Sequence, residues 1–266
     1  MRSIARRVLA ESARSCDRVA ALFRHAGTGL LTRDELEAEC TQYWGRFGRA
    51  IDDQAAHLED WEEQFYGAHL RPQERVLIVG AGSGRELLAL SARGFRVDGV
   101  EPNQACAERA RRAIADRAVA ADLVVDRAET MTLSKTYDVV VFSWFCLSYI
   151  LRKQARASAL ERSCRQLTDG GRILVSYVVA QNSRSPIVNR VTNLVARANR
   201  SGWQLGPGDH VSATEHGLAL VEHRFSTGEL EAEAKQAGLC ITFQEERKIG
   251  LAVLTPPLKP GLPTSV

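Results

Sequence analysis

Several features that mark specialised proteins are missing from this sequence. No stretch approaches the ~18 consecutive apolar residues of a membrane span, so no membrane partner is expected. Six cysteines are scattered as Cys16, Cys40, Cys106, Cys146, Cys164 and Cys240, and no two stand in a CxxC arrangement. That excludes a disulfide scaffold and suits reduced thiols in a cytoplasmic protein. No secretory signal is evident. The arginine-rich start MRSIARRVLAES meets Glu11 and Asp17 and reads as a plain helix. Charge of one sign is nearly balanced, with 35 Lys and Arg against 32 Asp and Glu. A net +3 is too weak to argue for nucleic acid. What remains is ordinary globular usage: 266 residues, 45% hydrophobic and 25% charged, enough for one large domain or two small ones.

The chain divides by pattern. Residues 1–70 carry apolar residues at helical spacing, from Ile4, Val8 and Leu9 to Leu22 and Phe23. Gly27-Thr-Gly29 is expected to break that run, and Thr32-Arg-Asp-Glu35 reads as the cap of a second helical stretch through Trp44, Phe47, Leu58 and Trp61. From Arg75 short Val-rich runs take over: 75–79, 95–100, 122–125, 137–143 and 172–178. Helical stretches at 86–93, 104–116 and 152–167 separate them. Buried strands alternating with helices predict βαβ units and a parallel sheet covered on both faces. A helix from Ser226 stops at Gly238, and 239–245 with 248–254 reads as a closing hairpin. Residues 180–222 form a long interruption, which is usually functional, and 255–266 is a Pro-rich tail.

The most informative stretch is Val76-Leu-Ile-Val-Gly80-Ala-Gly82-Ser-Gly84-Arg-Glu86. Glycines between a buried strand and a helix let the backbone approach a ligand. The dinucleotide fingerprint has its third glycine at the sixth position. Arg85 stands there, with glycine at the fifth, which points away from NAD or FAD. Glu101 ends the second strand, 17 residues after Gly84. A carboxylate there can accept both hydroxyls of a ribose, so the pair predicts a cofactor that carries a nucleoside.

These runs resemble the class I S-adenosylmethionine-dependent methyltransferases over residues 71–254. The resemblance rests on Val-Leu-Ile-Val-Gly-Ala-Gly-Ser-Gly, Gly-Val-Glu-Pro-Asn, Tyr-Asp-Val-Val-Val-Phe-Ser and Leu167-Thr-Asp-Gly-Gly-Arg-Ile-Leu-Val, in that order. It implies an α/β fold: a doubly wound, mostly parallel, seven-stranded Rossmann-like sheet with an antiparallel last strand. A helical N-terminal cap (1–70) and an inserted lid (180–222) would be added to it. It implies S-adenosylmethionine as cofactor. Gly80, Ala81 and Gly82 would face its methionine part, with Glu101 on the ribose and Pro102 beside the adenine. Ala128 and Glu129 would meet the adenine edge, and Ser143 and Trp144 would border the methyl group. Ile78 departs from the pattern, since the family often has Asp or Glu there. The cofactor's amino group would then rely on backbone carbonyls or on the N-terminal segment. Among Trp61, Phe65 and Tyr66, Tyr66 is the expected cofactor contact and Trp61 a core residue.

The acceptor side is less legible. After the fourth strand, Ser143-Trp-Phe-Cys-Leu-Ser148 has neither the Asn/Asp-Pro-Pro-aromatic motif of DNA amino methylation nor a Pro-Cys pair. No nucleic acid is expected, and Cys146 reads as a small buried hydrophobe. Three of the six histidines, His210, His216 and His223, fall within 14 residues. A histidine with a pKa near ~6.5 suits a hydroxyl or amine acceptor. His210 and His216 are the first candidates for acceptor orientation or proton removal, and Tyr149 the third. The alternative is that they cap turns. Their spacing matches no common ligand pattern, so no metal is expected. Arg184, Arg190, Arg197 and Arg200 could meet an acidic acceptor or a peptide carboxylate, or face solvent. The reading is methyl transfer to an O or N atom of a small metabolite, natural-product intermediate or peptide. A nicotinamide oxidoreductase and a non-catalytic methyltransferase-fold subunit are the alternatives.

Overall fold

The computed structural model describes residues 2–47, 56–180, 187–213 and 217–257. In chain order its elements begin with α1 (Arg2–Leu30), α2 (Arg33–Phe47), α3 (Asp60–His69), β1 (Arg75–Val79), α4 (Arg85–Ala92) and β2 (Arg96–Val100). Next come α5 (Gln104–Asp116), β3 (Leu123–Val124), β4 (Tyr137–Phe142), α6 (Cys146–Tyr149), α7 (Lys153–Arg165) and β5 (Leu167–Tyr177). The last are α8 (Ile187–Ala198), β6 (Asp209–Ala213), β7 (Ala219–His223), α9 (Glu229–Gln236), β8 (Cys240–Glu246) and β9 (Gly250–Thr255). They group into two compact units, Met1–Tyr43 with Asn182–Glu222 and Trp44–Gln181 with His223–Val266.

In the second unit the Val-rich runs build a seven-stranded sheet in the order β3-β2-β1-β4-β5-β9-β8. The first five strands pair in parallel, and β9 runs antiparallel to both β5 and β8. This is the expected sheet, last strand included. Alternate residues of each strand face opposite ways, and each face has its own core. Val76, Ile78, Val139 and Val141 pack with Phe65 of α3, Leu87 and Leu90 of α4 and Ala110 of α5. Leu77, Val79, Val140 and Phe142 pack with Leu160 of α7 and Leu230 of α9. Each buried Val, Leu or Ile side chain contributes about 1.5–3 kcal/mol. Chain order reverses beside β1: the chain moves outward through β2 and β3, then crosses back to β4. The switch point lies at the C-terminal ends of β1 and β4, where such sheets bind ligands.

In the first unit α1 runs straight through the expected break at Gly27–Gly29. The reason is packing. A Cβ on Gly29 would lie 2.6 Å from the Thr192 carbonyl oxygen and 2.8 Å from the Val195 Cβ of α8. The glycine lets two helices touch, and the bonds from Ser201 Oγ to Gly29 O (2.8 Å) and from Trp203 Nε1 to Leu31 O (2.7 Å) hold that end. The cap at Thr32 forms as read. The Thr32 amide donates to Glu35 Oε2 (2.7 Å) and the Glu35 amide donates to Thr32 Oγ1 (3.3 Å). The interruption after β5 holds more order than its composition signalled. Helix α8 and the two-stranded sheet β6-β7 occupy it, the sheet ending one residue beyond, at His223. Ile51, Arg184, Ser185 and the tail after Pro257 lie outside the described residues.

Candidate functional site

The glycine turn follows from β1. Gly80 and Ala81 both donate their N–H to the Val100 carbonyl, at 2.9 and 3.0 Å, which ties the turn to the end of β2. Gly80, Gly82 and Gly84 all have positive φ, at 77°, 55° and 93°, a region that glycine enters without a Cβ clash. A side chain at Gly80 would also strike Cys146 Cβ at 2.8 Å, whereas at Gly82 nothing lies within 4 Å. The backbone at Gly82 is therefore open on its outer side. Glu101 is buried at 5% exposure. Its Oε2 accepts from the Gly82 amide (2.8 Å) and its Oε1 from the Asn103 amide (2.8 Å). Burial pushes its pKa up, and those two N–H donors and Arg109 pull it back. Each carboxylate oxygen thus holds one donor and keeps acceptor capacity for another.

The chain past Glu101 caps α5. The Asn103 side chain accepts from the Cys106 amide at 2.9 Å. Cys106 Sγ donates to Trp44 O (3.5 Å), and Arg109 bonds both Gly45 O and Ser83 Oγ at 3.1 Å. Segment 44–45 is therefore anchored beside the start of α5. The Trp44 ring meets Tyr149 edge-on, with centroids 4.6 Å apart, beyond the end of β4.

At that end Ser143 continues the ladder, its amide donating to Val79 O at 3.0 Å. Trp144 and Phe145 follow with φ of 40° and 59°. Two bulky residues in the left-handed region cost of order 1–3 kcal/mol each, and such strain clusters at functional sites. The Ser176 hydroxyl accepts the Phe145 amide at 2.9 Å and holds the turn. Phe145 stacks on Trp61 at 5.5 Å, and the Arg85 guanidinium lies 5.0 Å over the Trp144 ring. Half-exposed rings line this turn in two pairs, Trp61 with Phe145 and Trp44 with Tyr149, as an interrupted row. Cys146 is beneath it, its pKa pushed well up by burial and by the negative charge of Glu86 and Glu101, and its Sγ donates to Val79 O at 3.2 Å. That keeps the thiol protonated and unreactive.

Trp61 and Tyr66 sit differently from the sequence expectation. Trp61 faces the β4 turn, not the core. Tyr66 is 3% exposed, and its hydroxyl donates to Glu86 Oε1. Glu62, fully buried, takes the Arg85 guanidinium in a two-pronged pair at 2.6 and 2.6 Å. Sequence reading missed Glu62, Arg85 and Glu86. The signal was present as two acids and one base flanking the glycines, but nothing in the sequence said that α3 would bury them.

Pro102 is exposed beside Glu101. Ala128 is buried, and Glu129 pairs with Arg127 Nε at 2.7 Å in the turn after β3. His210 lies in β6 of the first unit, within electrostatic reach of His25, and His216 lies outside the described residues. His223 Nε2 is 3.0 Å from Glu229 Oε1, next to Arg156 paired with Glu233 at 2.6 Å. His223, Glu229 and Glu233 are close enough to ligate a metal ion, but Arg156 already occupies the Glu233 carboxylate.

Residues 76–171 match a family model described as a methyltransferase domain. No curated protein matches the chain. Among solved structures, a SAM-dependent methyltransferase from Methanosarcina mazei is 17% identical with a TM-score of 0.60, covering 76% of this chain and 100% of its own. The glycopeptide N-methyltransferase MtfA, solved with S-adenosylmethionine, is 17% identical with a TM-score of 0.57, covering 77% and 96%. The O-methyltransferase NcsB1 from neocarzinostatin biosynthesis is 20% identical with a TM-score of 0.52, covering 79% and 57%. At these identities the likeness is one of fold. The matched segment spans the glycine turn, Glu101 and the β4 turn. That segment is a methyltransferase domain by its family match, and the sheet around it has the fold of S-adenosylmethionine-dependent methyltransferases of known structure.

Proposed function

We propose that this enzyme methylates an O or N atom of a small metabolite, natural-product intermediate or peptide. The observation that carries the reading is the Glu101 carboxylate, fixed by the Gly82 and Asn103 amides with one acceptor position left on each oxygen. Such a group suits the two ribose hydroxyls. Gly80, Ala81 and Gly82 supply backbone for the methionine part, Pro102 flanks the adenine, and Ala128 and Glu129 meet its edge. When bound, S-adenosylmethionine supplies an electrophilic methyl group on a sulfonium. In-line displacement needs the acceptor atom about 3–3.5 Å from that methyl carbon. Ser143, Trp144 and the ring row are assigned to orienting the acceptor and excluding water, and aromatic faces favour a cationic sulfonium. Tyr149 is the nearest hydroxyl candidate on that row. His210 and His216 keep their assignment as acceptor-orienting or proton-removing groups.

The N-methyltransferase and O-methyltransferase among the fold relatives suit an N or O acceptor. Calorimetry with S-adenosylhomocysteine tests the cofactor site. Binding is expected, and the absence of heat at millimolar ligand would favour the non-catalytic alternative. Screening acceptors with labelled cofactor then identifies the product. Single-turnover rates of His210→Ala and His216→Ala across about pH 6–9 decide the base. A true base costs ~10²–10⁴ in rate, and unchanged rates would make both histidines structural.

A further inference from the structure

Arg85 and Glu86 are the first two residues of α4, immediately after Gly84, and α3 lies against them. Three ionisable groups and a phenol meet there in near-complete burial. Glu62 and Glu86 are 0% and 3% exposed, and Tyr66 is 3% exposed. The charges do not balance. Arg85 spends both terminal nitrogens on Glu62, at 2.6 Å each, and stands 3.7 Å from Glu86, beyond hydrogen-bond reach. Glu86 receives the Tyr66 hydroxyl, a neutral donor. Two carboxylates therefore share one cation, and a buried, unpaired carboxylate is costly. Protonation relieves it. Burial and the neighbouring Glu62 raise the Glu86 pKa to about 8, against a smaller pull from Arg85 and Tyr66.

The surroundings place this surplus acid on the glycine turn. Cys146 packs on Gly80, and its thiol senses both Glu86 and Glu101. Glu86 follows Gly84 by two residues in the first turn of α4, and Glu101 accepts from the Gly82 amide, so a carboxylate adjoins the turn at both places. Glu101 is pinned by two amides, and Arg109 attracts it. Glu86 shares Arg85 with Glu62 and holds it only at 3.7 Å. Ile78, at the end of β1, is fully buried in the core and offers no charge. S-adenosylmethionine and S-adenosylhomocysteine both end in an α-ammonium, which a carboxylate accepts more strongly than a backbone carbonyl does.

We infer that Glu86, held by Tyr66, receives the cofactor's α-ammonium and gives up a proton to solvent when it does so. This rests on the cofactor reading above. The groups facing Glu86 are Glu62 and Tyr66 from α3, Arg85 from α4 and Cys146 from α6, and Glu101 is bonded to the turn at the Gly82 amide. The ammonium completes the charge pairing that Arg85 cannot. Tyr66 then acts as a positioning residue, not a direct contact.

The test is calorimetry at pH 7 in two buffers of different ionisation enthalpy, using the full chain. Wild-type protein should bind S-adenosylhomocysteine with release of close to one proton. Glu86→Gln keeps the shape and the Tyr66 acceptor. It should bind about tenfold or more weakly and release none, with its fold checked by circular dichroism. 5′-Methylthioadenosine lacks the amino-acid end and should bind both proteins alike, without proton release. Wild-type binding of S-adenosylhomocysteine without proton release, or unchanged release in Glu86→Gln, would overturn the inference. So would proton release on binding 5′-methylthioadenosine. If wild-type protein bound neither ligand, the cofactor reading itself would fail, which is a separate result.

Discussion

Glu101 illustrates how one residue draws its role from its backbone setting. Its position at the end of β2 follows from the strand pattern, but its orientation comes from two amides, Gly82 and Asn103. Charge-assisted hydrogen bonds contribute ~1.5–3 kcal/mol each. Glu101→Ala is expected to weaken S-adenosylhomocysteine binding by about tenfold or more while the melting temperature holds nearly constant. Titration calorimetry reads the first quantity and circular dichroism the second. At Gly80 the expectation is opposite in kind. Gly80→Ala meets both a positive φ of 77° and the Cys146 Cβ. It should destabilise the fold by about 1–3 kcal/mol in chemical denaturation.

At the scale of elements, two glycines in α1 show that the same residue type can serve opposite ends. A Cβ on Gly27 meets nothing within 4 Å, so Gly27→Ala should stabilise the helix by about 0.5–1 kcal/mol. Gly29 faces backbone of α8, so Gly29→Ala should destabilise by about 1–3 kcal/mol. Paired urea melts of the two variants distinguish these signs. Helices α7 and α9 are joined by the buried pair Arg156–Glu233, with Arg156 also lying 5.2 Å over the Phe225 ring. Glu233→Gln leaves a buried guanidinium short of charge and should cost about 3–5 kcal/mol. The double replacement Arg156→Met with Glu233→Leu should cost much less, which denaturant midpoints will read.

For the whole molecule, the buried acid beside the glycine turn leaves a mark on stability. Glu86 titrates near 4.5 when exposed and at about 8 in the fold. Between those values the folded chain holds a proton that the unfolded chain has released. Its contribution to stability therefore falls as pH rises from about 4.5 to about 8, and levels off above. The difference in melting temperature between wild type and Glu86→Gln should shift steadily over that window and become constant beyond it. A difference that is flat with pH would place Glu86 at an ordinary carboxylate pKa.

The sequence by itself determined the parallel sheet, because Val-rich runs of strand length separated by amphipathic stretches have few other ways to bury both faces. It determined the glycine turn and Glu101 too, since a turn of three glycines after a strand and an acid at the end of the next are local facts. The Thr32–Glu35 cap was legible for the same reason. What it could not determine depended on contacts far apart along the chain. Gly29 reads as a helix breaker until α8, some 160 residues later, is found against it. Trp61 stacks on Phe145 and Tyr66 bonds Glu86, and both partners lie beyond the reach of a local pattern. The Glu62–Arg85–Glu86 group is invisible in composition, where two acids and a base near a turn are ordinary surface residues. Only the tertiary structure takes them out of water, and removal from water is what turns an ordinary glutamate into a group that titrates near neutrality.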